Sequence, residues 1–92
     1  MNLRALSPDG PQEGAPARFL WQAREVAPPF TVVLLDAGYR KLAAFGGITS
    51  ACFVPDASLL GRLASGSTFH WHVSAQVDGV VCRSPLASFE IR

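Results

Sequence analysis

The chain has 92 residues, of which 49% are hydrophobic and 16% are charged, and its formal net charge is +1. This length suits a single domain over residues 1–92, and the apolar content excludes a disordered chain. The eight basic residues are scattered along the sequence, which excludes the clustered charge typical of nucleic-acid binding.

The N-terminal residues contain no apolar segment of a secretory signal, and no run reaches the roughly 18–20 apolar residues that a membrane-spanning helix needs. We therefore expect a soluble cytoplasmic protein without membrane insertion, or a segment cut from a longer chain. Cys52 and Cys82 lack the CxxC spacing of metal or redox motifs, and we expect two free thiols.

The first third of the chain predicts three short strands. An apolar strand over Leu3–Leu6 ends in a turn over Ser7–Pro11, and a loop continues to residue 16. The core of the sandwich follows, over residues 17–92. The second strand is Ala17–Gln22. The third is Phe30–Leu35, whose β-branched residues favour a strand over a helix.

The middle of the chain predicts a hairpin, a further strand and one helical turn. The turn Asp36–Gly38 leads into a strand over Tyr39–Phe45, which Gly46-Gly47 ends. A strand over Ile48–Val54 follows. Near residues 56–63 the sequence predicts a single helical turn, capped by an aspartate and with three leucines on one side. These residues are Asp56, Leu59, Leu60 and Leu63.

The stretch Thr68–Val77 alternates strictly between apolar and polar residues, which predicts a strand with one face on the core. Asp78-Gly79 then predicts a two-residue hairpin turn, because both positions tolerate positive φ. The inward positions are Phe69, Trp71, Val73, Ala75 and Val77, and the outward ones are His70, His72, Ser74 and Gln76.

This hairpin fixes the register of the end of the chain. It pairs Val77 with Val80 and Ala75 with Cys82, so Val80 and Cys82 should face the core. Phe89 and Ile91 are the last core candidates, but their parity along the strand is opposite to that of Val80 and Cys82. This change of parity predicts a bulge at Ser84-Pro85.

About seven short strands with regular turns and almost no helix predict an all-β, seven-stranded antiparallel sandwich of two sheets. A five-stranded barrel is the alternative architecture. In either fold Trp21 and Trp71 occupy inward positions, so we expect them in the core rather than as platforms that stack on sugars.

Several residues also occur in the same order along the chain as the motif residues of a known protein family. They are Trp21, then Phe30-x-Val32-x-Leu34, then Leu63-x-x-Gly66-x-x-Phe69-x-x-x-Val73, and finally Phe89-Glu90-Ile91. From Ala17 to Ile91 the chain resembles a fibronectin type III domain, which is immunoglobulin-like, and especially its compact bacterial members.

Two positions depart from the family pattern. Ser65 stands where the family favours proline, and Phe69 stands where it favours tyrosine, whose hydroxyl makes a hydrogen bond worth about 1 kcal/mol. The resemblance implies a binding or spacer module without shared catalytic residues.

The two histidines, His70 and His72, lie at i and i+2 on one strand, so their rings share the outward face. Zinc needs three or four ligands, and the neighbouring strands offer poor ones, including the cation Arg83. We therefore predict no metal site and solvated or interfacial histidines. The chain contains no G-x-S-x-G motif and no paired carboxylates, so we expect no enzyme activity and no cofactor.

One sheet face carries more apolar residues than a solvated face usually does. This candidate interaction face comprises Val33, Leu35, His70, His72 and Val81, although isolated exposed apolar residues are normal. We expect a non-enzymatic module that binds another protein, or itself, through this face or through an edge strand. The alternatives are a spacer domain of a longer protein and a metal- or pH-responsive surface at the two histidines.

Overall fold

The structure is a computed structural model that describes residues 2–63 and 66–92. In this part of the chain nine strands form two packed sheets, and there is one short helix. The strands are β1 (Asn2–Ser7), β2 (Gly10–Gln12), β3 (Phe19–Arg24), β4 (Phe30–Leu35), β5 (Lys41–Ile48), β6 (Cys52–Phe53), β7 (Thr68–Val77), β8 (Val80–Arg83) and β9 (Ala87–Ile91), and the helix is α1 (Ala57–Leu60).

The smaller sheet has the strand order β1-β3-β6, and the larger has the order β2-β9-β7-β4-β5, with β8 also paired to β7. All strand pairs are antiparallel except β2 with β9, which are parallel. Because the two sheets pack face to face, the fold is the predicted sandwich rather than the five-stranded barrel.

The core lies between the sheets, where the apolar positions of each strand meet. Strand β4 alternates between buried and half-buried residues along its whole length, as a strand with one face on the core should. Trp71 is fully buried and meets Phe19 edge to face, with ring centroids 5.1 Å apart. Trp21 is also buried, which confirms that both tryptophans belong to the core.

Several predicted elements are confirmed. Strands β4 and β7 have the predicted bounds and lie side by side. The helical turn is α1, and the Asp56 carboxylate accepts a hydrogen bond from the Leu59 amide at 2.8 Å. Leu59 and Leu63 are buried against the core, and Leu60 is partly buried.

The predicted number of strands was wrong, since residues 2–63 and 66–92 form nine strands instead of seven. Strand β2 forms where only a turn was expected, because Gly10–Gln12 docks in parallel against β9. The predicted last strand is divided into β8 and β9. The predicted strand Ile48–Val54 is also not continuous: Ile48 ends β5 in the larger sheet, and only Cys52–Phe53 pairs, with β3 of the smaller sheet.

Gly46-Gly47 was predicted to end a strand. The two glycines instead lie within β5, where they form a bulge. Phe30 pairs with Ile48 and Val32 pairs with Phe45, so two glycines lie opposite the single residue Thr31. Gly47 has φ +68°, a backbone conformation that glycine adopts without steric cost. The bulge therefore lets β5 continue as the edge of the larger sheet.

The predicted register around the last hairpin is confirmed, since Ala75 pairs with Cys82 and Val77 pairs with Val80. The predicted bulge is present too, at the interruption between β8 and β9. There Ser84 is buried, its amide donates to the Val73 carbonyl at 2.8 Å, and its hydroxyl accepts from the Val73 amide at 3.0 Å. These two bonds satisfy the backbone where the ladder is broken.

Val80 was predicted to face the core, but the residue is 68% exposed. It pairs with Val77 next to the turn at the tip of the β7–β8 hairpin, where inward parity no longer means burial. Cys82 is half-buried, and both cysteines are free thiols. Ser65, where the family pattern favours proline, is outside the described residues.

Candidate functional site

The outer side of the larger sheet carries the candidate site. The register places Val33 opposite His72 and Leu35 opposite His70, so the four side chains share one side of β4 and β7. Tyr39, from the turn between β4 and β5, lies over the same side. We call these five residues the Tyr39 face.

The sequence predicted a solvated or interfacial His70, whereas the residue is buried, with 9% of its surface exposed. The ring of Tyr39 stacks on its imidazole with centroids 4.3 Å apart and planes 10° from parallel. On β9, the Ser88 hydroxyl oxygen lies 2.6 Å from His70 Nδ1. His70 is outward by parity, yet the β4–β5 hairpin covers it through Tyr39. The alternation of residues along β7 does not indicate such a contact with another hairpin.

The β4–β5 turn holds Tyr39 in a defined position. One carboxylate oxygen of Asp36 accepts hydrogen bonds from the amides of Gly38 at 2.8 Å and Arg40 at 2.9 Å. Two backbone bonds between Asp36 and residues 39 and 40 close the loop. Tyr39 itself has φ 65°, which is unfavourable for a residue with a Cβ atom. The turn therefore maintains a strained backbone at an aromatic residue.

Tyr39 presents one ring face to the histidine and the other to solvent, since 62% of its surface is exposed. The sequence pattern predicted Tyr39 only as the first residue of a strand. The sequence signal for the position of Tyr39 was the preceding Asp36-Ala37-Gly38, because an aspartate at the start of such a turn caps it with its side chain. Such a turn lifts the following residue off the regular path of the strand.

His72 is half-buried beside Val33, and its Nδ1 atom is buried without a hydrogen-bond partner among the described residues. Burial lowers the pKa of His72 below its usual 6.5, and the positive charge of Arg83 lowers this pKa further. The ring is therefore neutral at physiological pH and contributes an apolar surface to the face.

The remaining predicted residues lie on the same side but differ in exposure. Val33 and Leu35 are half-buried, and Val81 is 50% exposed. Val81 pairs with Gln76, so it stands near the hairpin tip, away from Tyr39. A shallow groove of about 300 Å³ separates the two regions and is lined by Pro29, Thr31, Ser74, Ala75, Gln76 and Val81.

Among the described residues, the Ser88–His70 pair is the arrangement that most resembles a nucleophilic site. In a hydrolytic site a third group orients the histidine and donors stabilise the oxyanion. Here the Tyr39 ring stacks on the His70 imidazole, and this ring-face contact is neither a hydrogen bond that orients the imidazole nor a donor to an oxyanion. Within residues 2–63 and 66–92 no three His, Cys, Asp or Glu side chains cluster in a way that could hold a metal ion.

Comparison with protein-family models, with curated proteins and with solved structures finds no match to this chain. Among the described residues, no helix combines the length and the apolar character needed to cross a membrane. The geometry of the Tyr39 face is accordingly the basis for assigning a function.

Proposed function

We propose that this chain is a fibronectin type III-like module without enzymatic activity, which binds another protein through the Tyr39 face. The strand order supports the fold part of the proposal: three strands in one sheet face a sheet in which β9, β7, β4 and β5 are neighbours. The family resemblance, from Ala17 to Ile91, includes these strands except β1.

The observation that carries the binding role is the position of Tyr39. An exposed tyrosine normally loses side-chain entropy when a partner immobilises it, at a cost of about 0.5–1.5 kcal/mol. Tyr39 is already held by the His70 ring and by the Asp36 turn, so binding restricts it little further. Rigid aromatic residues of this kind are enriched among the residues that dominate binding energy.

The surroundings of Tyr39 also suit a protein partner. Val33 and Leu35 provide half-buried apolar surface beside it, and the neutral His72 extends this surface. Polar groups such as Ser88 lie at the margin. An aromatic anchor next to apolar surface with a polar rim is the usual anatomy of a protein interface.

A displayed peptide library, selected on the immobilised protein, tests this proposal. We expect the enriched peptides to bind the wild type and to lose binding to the variant V33E/L35E, since two carboxylates would interrupt the apolar surface without entering the core. The matched control is Val54→Glu, the same change at a valine that is 67% exposed outside this face. Peptides that bind V33E/L35E as well as wild type would contradict the proposed face.

A further inference from the structure

The charges around the Tyr39 face indicate which partner it fits. Lys41 pairs with Leu35 at one corner, and Arg83 pairs with Ser74 at the opposite corner. Both side chains are exposed, and neither makes an ion pair with a described residue. The two cations are therefore available to a partner.

The acidic groups nearby do not neutralise these cations. The Asp36 carboxylate is engaged by two amides of its own turn. Glu90 pairs with Thr68 at the far side of the sheet, across β7 and β4 from Lys41. We call the line across the larger sheet from Lys41 to Arg83 the diagonal. It thus has a positive side chain at each end and apolar side chains in the middle.

The sheet geometry gives the length of this diagonal. Lys41 and Arg83 lie three strand spacings apart across the sheet and four residues apart along it, so their Cα atoms are about 20 Å from each other. The line between them crosses Val33 and His72 and ends beside the groove at Ser74. An extended chain covers about 20 Å with six residues.

We infer that the partner is an extended acidic segment of another protein, with two carboxylates about six residues apart and apolar side chains between them. One carboxylate meets Lys41 and the other meets Arg83, while the apolar residues lie on Val33 and beside Tyr39. This inference rests on the proposed function, since it assigns the chemistry of the partner to the same face.

The test is a titration of the ¹⁵N-labelled protein with three synthetic peptides, followed by amide chemical shifts. All three alternate leucine and serine, and they carry glutamate, glutamine or lysine at two positions six residues apart. We expect the glutamate peptide to shift the amides of Val33 and His72 and to bind about three- to tenfold more tightly than the glutamine peptide, with this difference lost in high salt.

Charge reversal completes the test. In the variant K41E/R83E the preference should invert toward the lysine peptide, whereas R4E/R24E, with two reversed cations on the smaller sheet, should behave as wild type. Equal binding of the glutamate and glutamine peptides to the Tyr39 face would overturn the acidic partner but leave the face itself in place. Shifts confined to other surfaces, or no shifts, would also overturn the inference, and the library selection would then decide the proposed function separately.

Discussion

The phenol ring of Tyr39 and the imidazole of His70 are parallel and in contact, with centroids 4.3 Å apart, although they belong to different hairpins. This contact attaches the β4–β5 turn to the middle of the larger sheet. It also buries a histidine that would otherwise be solvated, and it fixes an aromatic ring at the surface. Stability and binding therefore depend differently on Tyr39.

Replacement of Tyr39 by glycine should change stability little. Glycine adopts φ 65° without steric cost, which offsets part of the loss of the stacked ring, so we expect the free energy of unfolding to change by less than about 1 kcal/mol. Urea denaturation measures this change. Tyr39→Ala, which keeps the strain and loses the ring, should be the less stable variant, and the reverse order would contradict this account of the turn.

Ser84→Ala should destabilise the fold by about 1–3 kcal/mol, because it leaves the buried Val73 amide without the acceptor that the hydroxyl provides. Chemical denaturation of the variant gives this value. Ser58→Ala, at an exposed serine of α1, is the control and should remain within about 0.5 kcal/mol of wild type. A loss no larger than that of the control would show that Ser84 is not required at the bulge.

The stability of the protein should fall as the pH is lowered below about 6.5, the usual pKa of histidine. Burial and the charge of Arg83 lower the pKa of His72 in the folded state, so the unfolded chain binds the proton more readily. The contribution of His72 is thus complete above pH 6.5 and is lost as the pH falls toward the lowered pKa.

Histidine titration by NMR checks the cause of this dependence. In Arg83→Ala the pKa of His72 should rise toward, but not reach, 6.5, because burial is the larger cause and remains. In His72→Gln the pH dependence of unfolding should weaken. A pKa of His72 that does not change on removal of Arg83 would rule out the charge as a cause.

Arg62→Ala should promote self-association through β5. The Arg62 guanidinium donates to the Leu42 carbonyl at 2.8 Å and so occupies one acceptor on this edge strand. Open strand edges pair with other chains, and covering groups prevent this. Light scattering across a tenfold range of concentration should detect more dimer for this variant than for the control Arg18→Ala. Equal masses for both variants would show that the guanidinium does not protect the edge.

Much of the fold was predictable where the sequence pattern is local. Strand β7 alternates over its whole length, and Asp78-Gly79 has the positive φ values that its turn requires. The opposite parity of Phe89 was enough to place the bulge before β9. In each case the signal lies within a few residues of the feature.

The elements that were missed depend on distant contacts. Strand β2 has the sequence Gly-Pro-Gln, which has no strand propensity, and it forms only because β9 offers a partner. The sequence placed Val33, Leu35 and the histidines on one side of the sheet, but it treated both histidines as exposed to solvent or to a partner. The burial of His70 requires Tyr39, whose position follows from the geometry of a turn rather than from a periodicity.

The most direct test of the proposed binding role is the affinity of Tyr39→Gly and Tyr39→Phe for peptides selected on the wild type. Loss of a central aromatic anchor should weaken binding at least about tenfold in Tyr39→Gly, while Tyr39→Phe, which keeps the stacked ring, should remain within about threefold. Equal affinity of wild type and Tyr39→Gly would contradict the claim that Tyr39 is the anchor of a protein-binding face.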